Sequence, residues 1–320
     1  MTTRAALSSV ALVALFAGLA GRVSAQDANQ ANAAKGTALM AEARKAIGGE
    51  DKLRGVKTVQ VNGKFKRTAG ANTLEGDFEV YIEPPGKYKR HEETGSAGGP
   101  IGERTEVLNG AETWDETSNG FPAGRGFFGR GRPGGAPDGA TGGDGAARQG
   151  GQAGGRGGQP IDPERLKDLQ RRQRLAELTR LMLVWFLTTD APVSWVGTAE
   201  SPDGNADVIE VKPTEGNPTR VFLDSATHMP LMLTTTGFGG RGRRGGGPGG
   251  QGGDAGRGDA GRGGAPPQIA IETHLSEYKT VGGIKLPHLI TRGVNGQTNE
   301  EWEIKTYRIN PNFKANTFSK

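Results

Sequence analysis

Apolar and polar residues alternate along much of the chain with a period of two, which is typical of β-strands that bury one face. The apolar positions are odd-numbered in the segment 59–66 and even-numbered in the segment 74–82. Matching these two apolar faces predicts an antiparallel hairpin joined by the loop 67–72, with an opposite-charge pair across it. The predicted pairs are Val59 with Val80, Val61 with Phe78, Phe65 with Leu74, and Lys64 with Glu75.

The same alternation predicts further strands, which are separated by turn residues such as Asn109-Gly110 and Gly282-Gly283. About a dozen short strands, each apolar on one face, predict a curved antiparallel sheet. The further strands are expected at 88–94, 104–108, 112–115, 193–200, 207–212, 219–224, 231–236, 269–278, 284–292 and 301–309.

Two helices interrupt this pattern. A short one is predicted over 36–47, after a polar leader. A longer one begins at Asp162, because Asp is a favoured N-cap residue and Pro163 suits the first helical position, and it runs to about Thr189. Its segment Leu181–Leu187 is apolar on every side, and a helix that is apolar all round is buried all round. We therefore expect this helix to be cradled in the concavity of the sheet.

The first 25 residues have the order of charged, apolar and small residues that marks a signal peptide. Arg4 precedes the apolar stretch 5–20, and Val23 and Ala25 provide small residues before Gln26. The apolar stretch is short for a membrane span. We predict cleavage after Ala25 and a mature protein that is periplasmic or secreted.

Glycine is concentrated in two segments, Phe121–Pro160 and Gly237–Gly264. Each contains 16 of the 55 glycines and five arginines against two aspartates. A composition so poor in apolar residues cannot offset the conformational entropy that is lost on folding. We predict a single domain over residues 26–320, interrupted by two disordered inserts that carry the basic charge of the chain.

The favoured interpretation of these inserts is a solvated loop. Arg-Gly tracts with aromatic residues can bind RNA through charge and stacking, but an export signal removes the protein from the usual RNA. We therefore expect no nucleic acid partner. Their local positive charge also suits attraction to an anionic envelope surface, such as lipid headgroups.

The residue types limit the chemistry that the chain can perform. It has no cysteine, which excludes disulfides and thiolate nucleophiles, and its four histidines lack the helical i,i+4 spacing of common zinc sites. No G-x-S-x-G turn or phosphate-binding loop occurs. Acidic residues adjacent in a strand point to opposite faces, so we interpret three such pairs as solvated edges: Glu92-Glu93, Asp115-Glu116 and Glu300-Glu301. We predict a protein that is not an enzyme and has no cofactor or metal.

Several motifs occur in an order that resembles one family. They are the helix 39–47 before the first strand, YIEPPGKYKR at 81–90, the central helix, LDSATHMP at 223–230, YKTVGGIKLP at 278–287, and the segment 302–311 followed by Phe318. The chain resembles the LolA/LolB-like lipoprotein-carrier superfamily of bacterial envelopes, and within it the exported proteins similar to outer-membrane lipoprotein-sorting proteins. The resemblance covers most of the chain outside the two inserts.

This resemblance implies a mainly β (α+β) fold, an open antiparallel half-barrel whose helices line or cover an apolar cavity. The implied ligand is a lipid or the acylated segment of a lipoprotein. For most of the large apolar residues that could line such a cavity, plain core packing is the alternative. The candidate cavity residues are Leu178, Leu181, Met182, Trp185, Phe186, Trp195, Phe222 and Met232.

Two other functions remain open at this point. One is a structural or envelope-sensing module of the same fold, with a filled core and the inserts as tethers. The other is a hydrolase without a recognised motif, which requires a buried carboxylate or histidine cluster. An open cavity along Leu181–Leu187 favours the binding protein, whereas side chains that fill this space favour the module.

Deleting both Phe121–Pro160 and Gly237–Gly264 is expected to leave the Tm nearly unchanged, because such segments bury little apolar surface. Differential scanning calorimetry of the full-length and shortened proteins measures this. A large fall in Tm would show that the inserts are part of the packed structure.

Overall fold

The structure is a computed structural model that describes residues 25–69, 72–95, 102–118, 162–201, 204–213, 217–238, 268–294 and 296–320. Residues 1–24 of the predicted signal peptide and most of the two predicted inserts lie outside the described residues. The sequence assigned Gly237 and Phe238 to the second insert, but both belong to a strand and pair with Ile269 and Gln268.

The described residues form one antiparallel sheet of twelve strands. Their bounds are β1 Val59–Ala69, β2 Asn72–Glu83, β3 Lys87–Thr94, β4 Gly102–Asn109, β5 Glu112–Thr117, β6 Val193–Ser201, β7 Gly204–Val211, β8 Thr219–Asp224, β9 Pro230–Phe238, β10 Gln268–Val281, β11 Ile284–Val294 and β12 Gln297–Ile309. β1–β5 run outward to one edge, and β6–β12 return from the other edge, so that β12 pairs with β1 in the middle. The predicted curved sheet is confirmed.

The predicted first hairpin is confirmed, but its register differs by two residues. Val59 pairs with Ile82 and Val61 with Val80, and Lys66 rather than Lys64 meets Glu75, at 3.1 Å between Nζ and Oε1. The strands continue to the Ala69–Asn72 pair, so the connection is shorter than the loop that the sequence suggested. A shift of two keeps every side chain on its face, and for this reason the apolar pattern could not exclude it.

Three helices accompany the sheet in the described part of the chain: α1 Ala25–Ile47, α2 Glu50–Arg54 and α3 Pro163–Phe186. α1 starts well before the predicted position, since the leader contains several alanines and Ala has the highest helix propensity. Gly36 allows α1 to lie close to β6, because a Cβ at this residue would lie 2.6 Å from the Ser194 carbonyl carbon. The predicted N-cap of α3 is confirmed, as Asp162 Oδ1 accepts a hydrogen bond from the Glu164 backbone N–H at 3.1 Å.

The core lies on the concave face of the sheet. Odd-numbered residues of β8 and β9, such as Val221 and Leu233, are buried there, and even-numbered residues of β2, such as Val80, join the same cluster. α3 packs on this face, and the buried side of α1 joins the same core through Met40, Ala43 and Ile47. None of the helices among the described residues combines the length and the apolarity that a membrane span requires.

At Gly63 the strand β1 passes close to its neighbours. An added Cβ would collide with the Glu303 carbonyl oxygen and lie 2.8 Å from the Phe78 ring. Gly63→Ala is therefore expected to lower the free energy of unfolding by about 1–3 kcal/mol through overpacking, measured by urea denaturation. The control is Gly95→Ala, whose Cβ would have no atom within 4 Å. Equal effects of the two substitutions would contradict the close packing at Gly63.

Candidate functional site

The apolar end of α3 occupies the concavity of the sheet. All seven residues of Leu181–Leu187 are buried, with exposed fractions between 0% and 8%. Trp185 lies at the centre, and its ring meets those of Tyr307 and Phe186 edge to face, at centroid distances of 5.8 and 6.5 Å. The prediction that this segment is buried on every side and cradled by the sheet is confirmed.

The C-terminal end of α3 is fixed by contacts with α1. Leu187 adopts a left-handed conformation (φ 51°) and its backbone N–H donates to the Leu183 carbonyl oxygen at 3.1 Å. Arg44 of α1 donates from Nε and Nη2 to the Leu187 carbonyl oxygen at 3.0 and 2.9 Å. A cation at this position also complements the negative end of the helix dipole. α1 therefore helps to hold α3 in the concavity.

The eight candidate cavity residues do not all lie together. Leu178, Leu181, Met182, Trp185 and Phe186 form the buried face and end of α3. Trp195 lies on edge strand β6 and contacts α1, with the Lys35 Nζ 3.5 Å from its ring centroid. Phe222 and Met232 pair across β8 and β9, but they alternate with the buried Val221, Leu223 and Leu233 and so face away from α3.

A narrow cleft lies between α3 and strands β10–β12. Its free volume is about 10 Å³, at the lower limit of what a single water molecule needs. Side chains of α3 therefore fill the concavity here. The cleft is lined by Arg180, Leu181, Val184, Thr273, Ile290, Arg292, Glu300 and Trp302.

Charged side chains cross the same concave face next to the apolar segment. We call the strand residues of this group the ionic row; they are Arg67, Arg90, Glu92, Arg104, Glu106, Asp115, Arg292 and Glu300. Strand register places opposite charges side by side, because Arg67 and Arg292 both pair with Glu300, and Arg90 pairs with Glu106. The row therefore extends from β5 at one edge to β11, across strands that are far apart in sequence.

The centre of the ionic row is a buried group of two arginines and two glutamates. Arg67 Nη2 lies 2.9 Å from Glu92 Oε1 and 2.8 Å from Glu300 Oε1. Arg90 contacts the same two carboxylates, at 3.3 Å for Glu300, and its guanidinium lies 4.4 Å from the ring centroid of Trp302. These four charged side chains are only 4–11% exposed.

α3 adds three charged residues to the row. Arg174 joins it to the edge strands, with Nη1 2.7 Å from Glu106 Oε2 and Nη2 2.9 Å from Asp115 Oδ1. One helical turn further, Glu177 accepts two hydrogen bonds from Arg180, at 2.6 and 3.0 Å. α3 is therefore held on the sheet by ion pairs along one part and by apolar packing along the next.

The arginines keep the carboxylates ionised. Burial by itself raises the pKa of Glu300, but the positive charges of Arg67, Arg90 and Arg292 outweigh it and place the pKa well below the usual range. In the same way Arg180, Arg292 and Arg90 overcome the burial of Glu177 and lower its pKa to about 2. Such groups suit electrostatic attachment better than proton transfer near neutral pH.

The ionic row corrects the interpretation of Glu92 and Glu300 as solvated residues. Adjacent partners do point to opposite faces, but Glu92 and Glu300 face the core while Glu93 and Glu301 face water. A signal was present in the sequence, because Glu92 and Glu300 continue the alternation of buried residues along their strands, as in Tyr88-x-Arg90-x-Glu92 and Glu300-x-Trp302. Among the described residues no group of three or more His, Asp or Glu side chains is arranged to hold a metal ion.

Comparisons with known proteins find similarity at the level of solved structures. No protein-family model matches the chain, and no curated protein does. A LolA superfamily protein from Nitrosomonas europaea matches with 9% identity and a TM-score of 0.46, over 89% of this chain and 97% of that chain. An outer membrane lipoprotein-sorting protein domain from Vibrio parahaemolyticus matches with 12% identity and a TM-score of 0.43, over 90% and 97%.

A third similar structure is a DUF1329 family protein from Desulfovibrio piger, with 9% identity and a TM-score of 0.41 over 89% of this chain and 97% of that chain. The matches thus include the superfamily that the sequence resembles. At these identities and TM-scores the similarity is one of strand and helix arrangement, and it carries no information about a ligand.

Glu300→Gln is expected to lower the free energy of unfolding by about 3–5 kcal/mol, because it leaves Arg67 and Arg90 buried with half of their negative partners. Urea denaturation at neutral pH measures the change. Glu301→Gln is the control, since this neighbour is exposed on the other face and should change stability by no more than about 0.5 kcal/mol. Similar values for both variants would mean that the row contributes little to the fold.

Proposed function

We propose that the protein is an exported binding protein that holds the acyl chains of a lipid or acylated protein on the concave face of its sheet. The observation that carries this proposal is the segment Leu181–Leu187, an apolar occupant seated in the concavity. In the proposed cycle this segment occupies the site when the ligand is absent, and the ligand replaces it.

The two free-energy changes of this exchange oppose each other, because one apolar occupant of the concavity replaces another. Burying acyl chain stabilises the complex by roughly 0.8 kcal/mol per methylene, which offsets the exposure of α3 side chains when the helix moves away. A ligand can shift this equilibrium only by its preference for the open arrangement. The ion pairs of Arg174 with Glu106 and Asp115 then set how much binding free energy is needed to release α3.

The signal peptide predicted from the sequence supports a location in the periplasm or outside the cell, where lipids and acylated proteins are exchanged between membranes. The Arg/Gly segments would add attraction to anionic membrane surfaces. A location at the envelope and an apolar site are consistent with each other.

A second candidate function is favoured by one specific observation. The cleft beside α3 is only about 10 Å³ in volume, and this filling of the concavity is the outcome that was expected of a structural or envelope-sensing module. In that case α3 stays in place permanently. The two candidates therefore differ in whether α3 leaves the sheet.

The experiment locks α3 to the sheet. Because the chain has no cysteine, Arg174→Cys with Asp115→Cys gives a single pair that joins α3 to β5, at side chains that are 14% and 26% exposed. The pair is joined by a short bis-maleimide, and uptake of palmitic acid is measured by calorimetric titration. We expect the wild type and the unlinked variant to bind, and the linked variant to lose binding.

The control carries Lys66→Cys and Glu75→Cys, which are exposed and lie opposite each other in the first hairpin. Linking this pair leaves α3 free and should leave uptake unchanged. Mass spectrometry of an organic extract of the gently purified protein tests for a bound native lipid. A protein that carries no lipid and binds no added one would support the filled module instead.

A further inference from the structure

The cleft between α3 and β10–β12 has two chemically different parts. Leu181, Val184, Ile290 and Trp302 supply an apolar wall, and beside it lie the guanidinium groups of Arg180 and Arg292 and the carboxylate of Glu300. A cleft of this kind matches an amphiphile, a molecule with an apolar tail and a charged head.

Of the two arginines that line the cleft, Arg292 is the one that lacks a close carboxylate partner. Within the described residues its one ion-pair contact joins Nη1 to Glu300 Oε2 at 3.8 Å, which is too long for a hydrogen bond. Its side chain is also 35% exposed, whereas those of Arg67 and Arg90 are 10% exposed. The charge of Arg292 is therefore both weakly compensated and accessible from solvent.

The neighbouring carboxylates are already engaged. Glu300 accepts hydrogen bonds from Arg67, from Arg90 and from Trp302 Nε1, the last at 2.9 Å. Glu177 accepts both of its short hydrogen bonds from Arg180. Neither carboxylate is available as a dedicated partner for Arg292.

The electrostatic environment distinguishes Arg292 from the other arginines. Burial and the adjacent Arg180 charge lower the pKa of Arg292, and the carboxylates of Glu177 and Glu300 offset them only in part. For Arg67, Arg90, Arg174 and Arg180, burial also lowers the pKa, but nearby carboxylates outweigh it and raise the value. An added anion beside Arg292 would complete the compensation that these two carboxylates leave partial.

We propose that Arg292 of β11 binds the anionic head of the acyl ligand, a carboxylate or a phosphate, at the mouth of this cleft. The inference rests on the proposed function and adds to it the chemical class of the ligand. A guanidinium forms two parallel hydrogen bonds to a carboxylate or phosphate. Ile290 and Trp302, the strand residues of the apolar wall beside it, receive the acyl tail on the surface that α3 has left.

The test compares probes that share one acyl chain. Palmitic acid carries a carboxylate head, lysophosphatidylglycerol with a palmitoyl chain carries a phosphate, and monopalmitoylglycerol is neutral. Affinities are measured by calorimetric titration at low probe concentration with the full mature chain. The wild type should bind at least one anionic probe about tenfold more tightly than the neutral one, since one charge-assisted contact is of this order. The probe that binds more tightly identifies the head as a carboxylate or a phosphate.

The decisive variant is Arg292→Gln, with Arg308→Gln as its matched control. Arg308 is exposed, and its strand partner Gln60 lies on the face opposite to the buried Val59 and Val61, so the control removes the same charge far from the cleft. Arg292→Gln should lower the affinity for the anionic probe about tenfold and leave that for the neutral probe unchanged. Arg292→Lys should restore part of the loss, and the Tm of each variant shows whether it is folded.

The outcomes separate this inference from the proposed function. If the wild type binds anionic and neutral probes equally, or if Arg292→Gln and Arg308→Gln behave alike, the headgroup site is wrong while acyl binding stands. If the wild type binds none of the three probes, the proposed function itself fails. A loss of affinity for all probes in Arg292→Gln would assign Arg292 a structural role and overturn the inference.

Discussion

Burial of the apolar end of α3 against the concave face of the sheet is the interaction on which the rest of the structure depends. A curved sheet of twelve strands in the described chain presents a large apolar surface on its inner side, and such a surface must be covered. Leu181–Leu187 covers it with residues that are apolar on every side. The need to cover this apolar surface also underlies the proposed function, because an acyl chain can cover it as well as a helix can.

The ionic row decides how α3 lies on this surface. Buried ion pairs contribute less to net stability than their number suggests, because each charge must lose its water, but an unpaired buried charge is strongly unfavourable. The contacts of Arg174 with Glu106 and Asp115 therefore favour one position of the helix over others. They also leave part of the concave face unsuitable for a plain hydrocarbon chain, which is the reason to expect a ligand with a charged head.

Much of the fold could be predicted from local patterns. The alternation in β1 and β2 located both strands and their inner faces, and Asp162 with Pro163 located the start of α3. The exact hairpin register could not be obtained, because a shift of two residues preserves the pattern. The inner face of Phe222 was also ambiguous, since Val221 and Leu223 on either side are apolar too. For this reason the candidate cavity residues Phe222 and Met232 lie on the face away from α3.

The sequence by itself determined the strands, the cradled helix and the inward side of those strands whose apolar and polar residues alternate, because these follow from periodicity over a few residues. Only the tertiary structure decided which charges are buried together. Arg67 and Glu300 are 233 positions apart, and their pairing depends on β12 returning to lie beside β1. The weak pairing of Arg292 and the filling of the concavity by α3 likewise depend on distances between elements, which no local pattern contains.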